Sequence, residues 1–411
     1  MPKILIAAPF PPDPLGFHGG TQVIGRLIDA LADTHSLAVA YLRADGEPPM
    51  GLALARRCAH VVEIPRQASG LPRQLRLAGA LARGKPMWVE DWNVPGFRHQ
   101  LRRFAQEWRP DVVQFEFHTM AQYADALVGL TAATVLVVHE PGAAAAEDRH
   151  QSSRGWRDMI LRRDTSSWRN YERGRLAQFD RVVCFTERDR RRLLELQPAA
   201  THISVIAPCG PRPQESPSPG SEAETIFFVG SYKHPPNLDA ALHLVRSIFP
   251  RVLARFPQAV LQLAGDAPPA ELLRHAGPQV QIPGRLPDLT KWLREAALVV
   301  APLRTGGGIR IKMMDALAFG KAIVATPLAC EGLSVRHGEQ LLECSDDEDF
   351  ADAICELLGD RAKRQRLGAK ALARAGDLAA SGTTAAAFEE LYKNCPARSD
   401  RPSERPSESR P

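Results

Sequence analysis

The stretch TGGGIRIKMMDALAFGKAIVATPLACEGL, from Thr305 to Leu333, decides how this 411-residue chain is interpreted. It contains three consecutive glycines, a short amphipathic helical pattern and the apolar run Ala322–Ala325. Gly306, Gly307 and Gly308 carry no Cβ, so the backbone can come close to a ligand there. The helix that follows presents free N–H groups and the positive end of its dipole. Together the two features predict an anion site.

Three charged side chains in this helix indicate which anion the site would hold. Arg310 and Lys312 stand near its start, where they oppose the helix dipole; a helix shaped only for stability would carry acidic residues there. Asp315 lies roughly 10 Å along the axis from Gly308, at about 1.5 Å per residue. A carboxylate at that distance fits the ribose of a nucleotide diphosphate. The alternative, a flexible glycine turn before an ordinary helix, leaves the two cations unexplained.

Length and composition favour two domains and exclude several classes of protein. A chain of 411 residues exceeds what one hydrophobic core usually organises. The formal charge of +5 is too weak to indicate nucleic acid as a partner. The seven cysteines form no C-x-x-C pair, which favours a reducing compartment and argues against a structural zinc site. The opening KILIAAPF is followed by prolines and Asp13, and no apolar stretch reaches membrane-spanning length, so we expect a cytoplasmic protein.

Short apolar runs alternate with amphipathic helical patterns such as Gln22–Ala32 and Pro95–Glu107, which is typical of parallel sheets covered by helices on both faces. The first series predicts strands at Lys3–Ala8, Leu37–Tyr41, Val61–Glu63, Val112–Phe115, Thr134–Val138 and Arg181–Phe185. The second series predicts strands at Thr225–Gly230, Leu261–Ala264, Val280–Ile282, Leu298–Ala301, Ala322–Ala325 and Gln340–Cys344. The sequence therefore predicts an α/β protein of two Rossmann-like, doubly wound parallel-sheet domains that face a cleft.

The same patterns predict where the domains begin and end. Residues 1–206 form the first domain, the proline-rich stretch 207–224 a linker, and residues 225–382 the second domain. Residues 383–395 are helical in pattern. The tail 396–411 repeats Arg, Pro, Ser and Glu with no apolar side chain beyond Ala397, so we expect it to be disordered.

Four stretches of the sequence carry a family resemblance. They are the segment quoted above, FFVGSYKHPPNLDAALHLVRSIFPRV at Phe227–Val252, LQLAGDAP with QIPGRLPDLTKWLREAALVVAPLRTGGG within Leu261–Gly308, and PFPPDPLGFHGG within Ile4–Gly20. They resemble the retaining, nucleotide-sugar-dependent glycosyltransferases of GT-B architecture called family 4, or glycosyl transferases group 1. The resemblance covers nearly all of Lys3 to Lys393 and is more specific in the second half. It implies a C-terminal donor-binding and an N-terminal acceptor-binding domain.

One departure from the family concerns the sugar of the donor. Many members carry two glutamates with seven residues between them around this helix, and the two positions fall here on Gly307 and Asp315. In one branch of the family this region is a glycine-rich loop followed by Arg-x-Lys, and this chain has the same pattern. We expect the backbone amides of the glycine loop to hold the sugar hydroxyls in place of the missing glutamate.

The resemblance implies roles for residues of the donor domain. Arg310 and Lys312 are expected to neutralise the leaving diphosphate, and Asp315 to accept hydrogen bonds from the ribose. Lys233 is either a further charge at the diphosphate or a solvated loop lysine, and Asn237 is predicted to cap a helix. The predicted donor-binding residues are Gly230, Lys233, Arg285, Leu286, Gly306, Gly307, Gly308 and Asp315.

In the first domain, the candidate residues follow predicted strands, whose carboxyl ends face the crevice of such a fold. His139, in VLVVHEPG, matches the position where the family places a histidine beside the donor sugar, so it joins Arg310 and Lys312 as a predicted catalytic residue. The glycine loop before the first helix has an ordinary strand-to-helix turn as its alternative. The predicted acceptor-binding residues are His18, Gly19, Gly20, Glu116 and His118.

The arginine-rich segment 151–192 suggests a further partner. Apolar side chains, among them Ile160, Leu161 and Trp168, are interleaved with its arginines, which is consistent with a helix lying on anionic lipid. That interpretation would place the protein at the inner face of the membrane. The alternative is a solvated helix whose arginines pair internally with residues such as Asp164 and Glu172.

The resulting hypothesis is transfer of a sugar, with retention, from a nucleotide diphosphate sugar to a glycan, lipid-linked or small-molecule acceptor, as in polysaccharide biosynthesis. No metal or other cofactor is expected, because cations already stand at the diphosphate. Two alternatives stay open: a nucleotide-sugar epimerase of the same architecture, and a non-catalytic nucleotide-sugar-binding protein. A nicotinamide enzyme is disfavoured, because no G-x-G-x-x-G follows the first strand of either domain.

Overall fold

The computed structural model describes residues 1–16, 18–66, 72–151, 155–216 and 224–395. The predicted tail 396–411 lies outside these ranges. Residues 217–223 of the predicted linker and residues 152–154 of the arginine-rich segment lie outside them as well.

The N-terminal half builds one parallel sheet of seven strands, in the order β3-β2-β1-β4-β5-β6-β7. The strands are β1 Lys3–Ala8, β2 Ser36–Arg43, β3 His60–Pro65, β4 Val112–Glu116, β5 Ala133–Val138, β6 Arg181–Cys184 and β7 Ile203–Val205. Helices fill the connections: α1 Gly19–Leu31, α2 Leu52–Ala55, α3 Arg73–Ala82, α4 Met87–Asp91, α5 Pro95–Trp108, the 3₁₀ helix Met120–Leu127, α6 Gly142–Gln151, α7 Trp156–Leu176 and α8 Glu187–Leu196.

The C-terminal half builds a second parallel sheet of six strands, in the order β10-β9-β8-β11-β12-β13. Its strands are β8 Thr225–Val229, β9 Val260–Ala264, β10 Val280–Gly284, β11 Leu298–Ala301, β12 Ala322–Ala325 and β13 Leu342–Glu343. Its helices are α9 Pro235–His243, which continues as the π-helical turn Leu244–Ile248, then α10 Phe249–Leu253, α11 Ala270–Leu273, α12 Thr290–Glu295, α13 Ile311–Ala318, α14 Pro327–Cys330, α15 Asp347–Gly359, α16 Arg361–Ala379 and α17 Ser381–Lys393.

These two helix-covered sheets confirm the predicted fold class. Strand β1 shows why the apolar runs form such sheets: its side chains alternate between the two faces, and both faces are buried. Leu5 and Ala7 belong to the core on one face, while Ile4, Ile6 and Ala8 belong to the core on the other. One strand was missed in the prediction. The three-residue β7 is too short to show a period, and it pairs only with β6 at the sheet edge.

The last helix returns to the first domain. Side chains of α17, including Phe388 and Tyr392, pack in the same core as Ile4 and Ile6. The Thr384 hydroxyl donates to the Ala207 carbonyl at 3.1 Å, and the Arg181 side chain donates to the carbonyl of Asn394. The chain therefore crosses between the domains twice, once after β7 and once before α17.

Helix α7 lies in the arginine-rich segment 151–192, and its structure corrects part of the membrane prediction. Trp168 is fully buried, so it is not part of an outward apolar face. Asp164 and Glu172 are also buried, while Met159 on the other side is exposed. Residues 152–154 of the segment lie outside the described ranges, and no helix in the described part is long and apolar enough to cross a membrane. Lipid contact through residues 151–192 stays a prediction.

Candidate active site

A cavity of about 1210 Å³ lies between the two domains, where the carboxyl ends of several strands meet. The first domain contributes His18, Gln22 and Arg26 to its walls. The second domain contributes residues that follow β8, β9 and β10, and also Asp315 of α13. The cavity brings together six of the predicted site residues: His18, Gly230, Lys233, Arg285, Leu286 and Asp315. Its volume exceeds that of many single-ligand pockets, which leaves room for a donor and part of an acceptor.

The predicted glycine loop of the first domain is the first turn of a helix. Helix α1 begins at Gly19, and the Nδ1 atom of His18 accepts a hydrogen bond from the Thr21 amide at 3.2 Å. A Cβ on Gly19 would lie 2.9 Å from a side-chain carbon of Ile311 in the second domain, and a Cβ on Gly20 would lie 2.6 Å from the ring of Phe10. These glycines permit close packing, so the loop prediction is wrong. Only His18 of the three lines the cavity.

Burial sets the protonation state of His18. Its pKa is lowered to about 4, mainly by burial and further by the neighbouring His139. The ring is therefore neutral at pH 7, and its Nδ1 atom acts as the acceptor for the Thr21 amide.

Asp315 meets a cation of the other domain. Its Oδ1 atom lies 3.3 Å from the Nη2 atom of Arg26, and both side chains are largely enclosed. Burial raises the pKa of Asp315, and Arg26 opposes that shift. A ribose bound by Asp315 would thus share the carboxylate with Arg26, a partner that the sequence did not reveal.

Lys233 is placed at the same cavity, with a carboxylate beside it. Its Nζ atom lies 3.0 Å from Asp266, and its side chain is 72% exposed. An exposed pair of this kind contributes little to stability, so Lys233 can exchange its partner for an anionic ligand at low cost.

The glycine loop before α13 is closed by carboxylates of the first domain. The Gly306 amide donates to Asp148 at 3.0 Å, and the Gly307 amide donates to Glu140 at 2.8 Å. Gly308 has a φ of 68°, and a Cβ there would overlap the carbonyl oxygen of His139. Two acidic side chains therefore accept hydrogen bonds from the amides of the predicted anion site, and binding of an anion there stays a prediction. Glu140 is the second residue after β5, a position from which side chains can enter the cleft, so the sequence offered a signal for it; Asp148, on α6, had no such signal.

Arg310 stands at the centre of this closed region. It is 8% exposed, and its Nη1 atom donates to the Gly307 carbonyl. Within the described residues, its Nε and Nη2 atoms have no hydrogen-bond partner. Burial lowers the pKa of the guanidinium, and Glu140 and Asp189 oppose the shift. An anionic ligand could accept hydrogen bonds from these two nitrogens and pair with the charge of the guanidinium.

Lys312 is held by Asn237 and an aromatic ring. Its Nζ atom donates to the Asn237 Oδ1 atom at 2.6 Å and lies 4.6 Å from the centre of the Phe228 ring. Asn237 was predicted to cap a helix, and this prediction is wrong, because α9 already begins at Pro235. A Cβ on Gly230 would lie 2.6 Å from the Asn237 side chain, so this glycine makes room for the amide. Burial, and then the charge of Arg310, lower the pKa of Lys312 to about 7.

His139 is locked in place by a carboxylate and two rings. Its Nε2 atom lies 2.7 Å from Glu116 Oε2. The imidazole stacks on Phe117 with ring centres 3.8 Å apart, and its edge meets Phe185 at 4.9 Å. His139 leaves the strand towards the domain boundary, and its carbonyl faces Gly308. The carboxylate fixes which ring nitrogen carries the proton.

The other two predicted acceptor residues do not reach the cleft. Glu116 is 0% exposed and serves His139. His118 is 2% exposed and packs against Trp88 and Trp168 at 5.1 Å and 4.7 Å between ring centres. Burial lowers its pKa to about 4. Glu116 is the last residue of β4 and His118 follows two residues later, after Phe117 at a positive φ of 68°. Burial of both side chains therefore contradicts their predicted role in acceptor binding.

The described residues contain no group of three or more His, Cys, Asp or Glu side chains that could hold a metal ion.

Comparisons with known proteins match both halves of the chain. A model described as Glycosyltransferase Family 4 matches residues 17–209, and a model described as Glycosyl transferases group 1 matches residues 223–360. An exopolysaccharide phosphotransferase of Streptomyces coelicolor is 28% identical over 56% of this chain and 25% of its own length. A phosphatidyl-myo-inositol mannosyltransferase of Mycolicibacterium smegmatis is 28% identical over 34% of this chain and 37% of its own length. The chain spans a quarter to about two fifths of the curated relatives it matches.

Solved structures share the fold over nearly the whole chain. A sucrose-phosphate synthase from Thermosynechococcus elongatus superimposes with a TM-score of 0.68 at 18% identity, covering 95% of this chain and 98% of that one. Anabaena Alr3699/HepE, in complex with UDP and glucose, superimposes with a TM-score of 0.66 at 15% identity, covering 96% and 100%. With one family model on each domain and a GT-B fold throughout, the chain belongs to the family 4, or group 1, glycosyltransferases.

Proposed function

We propose that the protein is a retaining glycosyltransferase that uses a nucleotide diphosphate sugar and a glycan, lipid-linked or small-molecule acceptor. The observation that carries the proposal is Arg310, a buried cation beside a glycine loop, two of whose donor nitrogens have no partner among the residues that the structure describes. It stands next to Lys312, and one helical turn further Asp315 opens onto the interdomain cavity. A site that joins an enclosed cationic pocket to a large cleft suits a ligand with a diphosphate in its middle.

The donor would lie along the second domain. Its base would meet the backbone after β10 at Arg285 and Leu286, and its ribose would meet Asp315. Its diphosphate would take over the amides of Gly306 and Gly307. Glu140 and Asp148 must then leave those amides, which requires the domains to separate slightly or the two side chains to rotate.

The chemistry would rest on electrostatics at the leaving group. As the glycosidic bond breaks, negative charge grows on the diphosphate, and Arg310 and Lys312 would stabilise it in a site that largely excludes water. His139 would lie against the sugar. Because its Nε2–H is directed to Glu116, its Nδ1 atom would accept a hydrogen bond from a sugar hydroxyl, and this bond would strengthen as positive charge develops on the sugar. We assign no carboxylate nucleophile. We propose that the acceptor attacks the sugar from the same face as the one from which the diphosphate leaves.

The names of several relatives and structural neighbours support the proposed class of reaction and donor. The mycobacterial relatives are named as mannosyltransferases, and the Anabaena neighbour was solved with UDP-glucose and with UDP and glucose. The UDP-glucose bound to the Anabaena neighbour is a nucleotide sugar, the class of donor that the geometry of the cleft favours.

Binding of a nucleoside diphosphate is expected to take up a proton at Lys312. The pKa of Lys312 in the free protein is about 7, so the amine is mostly neutral at about pH 8. A phosphate beside it raises that pKa, and the protein must gain a proton; the uptake shrinks as the pH falls through 7 and disappears at about pH 5, where the amine is already charged. Calorimetry of UDP and GDP binding in buffers of different ionisation enthalpy measures the uptake. Equal uptake by Lys312→Met would assign the proton elsewhere.

The function itself is tested with a panel of nucleotide sugars. A donor is expected to raise the melting temperature and, with an extract of glycan or lipid-linked acceptors, to lose its sugar to an acceptor. Transfer is expected to persist in excess EDTA, because protein cations stand at the diphosphate. Isomerised free nucleotide sugar would indicate the epimerase, and binding without turnover the non-catalytic protein. Loss of transfer in EDTA, restored by magnesium or manganese, would contradict the metal-independent mechanism.

A further inference from the structure

A chain of buried hydrogen bonds connects the last helix of the protein to His139. The Tyr392 hydroxyl on α17 donates to Gln114 Oε1 at 2.6 Å. The Gln114 amide donates to Glu116 Oε1 at 2.6 Å, and Glu116 Oε2 meets His139 Nε2 at 2.7 Å. Gln114 and Glu116 are fully buried, and Tyr392 and His139 are less than a tenth exposed.

The strand pattern explains how these groups share one face. In β4, Val113 and Phe115 lie in the core on one side of the sheet, so Gln114 and Glu116 point to the other side. That side is the one covered by α1 and α17. An amide and a carboxylate in such a core are destabilising unless their hydrogen bonds are made. The hydrogen bonds from Tyr392 to Gln114, from Gln114 to Glu116 and between Glu116 and His139 satisfy these groups.

The direction of each bond is set by chemistry. The Glu116 carboxylate accepts from both of its neighbours, so the Gln114 amide must turn its NH₂ group towards it. The amide oxygen then faces α17, where it needs a donor. The Tyr392 hydroxyl is that donor, and burial together with the nearby Glu116 raises the pKa of the phenol well above its ordinary value, so it stays protonated. Every group in the chain is thereby held in one orientation.

We propose that Tyr392 is a positioning residue for His139, acting through Gln114 and Glu116. The ring of His139 is confined by Phe117 and Phe185 on its sides, and its rotation within that slot is decided by the bond to Glu116. Docking of α17 on the first domain thus sets the imidazole through hydrogen bonds that run along one face of the sheet. The inference rests on the proposed function for its activity readout only.

The test compares the full-length protein with Tyr392→Phe, which removes one oxygen and keeps the ring. We expect kcat to fall on the order of 10-fold with donor KM little changed, because a displaced group acts on turnover more than on donor affinity. In protein with isotopically labelled histidine, the His139 Nε2–H proton signal, assigned by its absence in His139→Ala, is expected to move. Gln114→Met, of similar volume, breaks the chain one step closer and is expected to move it further.

Phe388→Leu is the matched control, because Phe388 packs on the same face of α17 and is 1% exposed. It is expected to lower the melting temperature while the His139 signal and kcat per folded molecule stay unchanged. A wild-type signal in Tyr392→Phe would overturn the inference, whatever happens to kcat, since the effect would not pass through His139. If the wild-type protein transfers no sugar, the proposed function fails, and the signal alone still decides the role of Tyr392.

Discussion

Arg310→Ala is expected to abolish most of the affinity for a nucleoside diphosphate and most of the transfer. Arg310 is buried, and two of its guanidinium nitrogens have no partner in the described residues. A charge-assisted hydrogen bond contributes about 1.5–3 kcal/mol, so loss of one such contact lowers affinity roughly 10- to 150-fold. Transfer should fall at least as far, because the same cation would stabilise the leaving group. Calorimetry with UDP and GDP, and initial rates at saturating donor, measure the two effects.

Two further variants test whether the effect of Arg310→Ala is specific to the glycine loop. Arg304→Ala removes a half-exposed arginine that pairs with Asp239 outside the glycine loop, so it is expected to leave affinity within about 2-fold. Glu140→Gln removes a negative charge that competes for the Gly307 amide, and it is expected to tighten diphosphate binding. Unchanged affinity in Arg310→Ala, or weaker binding in Glu140→Gln, would move the diphosphate away from the glycine loop.

His139→Ala is expected to lower kcat by about 10²–10³-fold with a small change in donor KM, the range seen when one positioned donor or proton-transfer group is removed. The loss should appear in turnover because the imidazole is proposed to act as charge develops. Some stability will be lost as well, since Glu116 is then buried without this partner. Melting temperature and kcat per folded molecule must therefore be measured together.

His118→Gln is the control for His139, because His118 is also buried and packs against Trp88 and Trp168. It is expected to lower the melting temperature and leave kcat per folded molecule near that of the wild type. If His139→Ala behaves in the same way, then His139 is a structural residue, and the proposed role of Tyr392 loses its catalytic consequence.

Much of the fold was predictable because it depends on local patterns. Apolar runs such as Leu298–Ala301 and Ala322–Ala325 were placed without error, since a strand buried on both faces must be apolar throughout. The glycine loop before α13 was also found, because Gly308 takes a positive φ that other residues avoid. The three-residue strand β7 and the role of Asn237 were not predictable, since neither has a period or a spacing to show it.

The sequence by itself determined the two parallel sheets, the glycine loop and the cations that follow it, because hydrophobic period, backbone freedom and charge are properties of neighbouring residues. Only the tertiary structure decided which groups meet across the domains. Glu140 reaches the Gly307 amide, Arg26 reaches Asp315, and Tyr392 reaches Gln114. These partners are distant along the chain, and their contacts exist because the domains close on each other and the last helix returns to the first sheet. No local pattern encodes that closure.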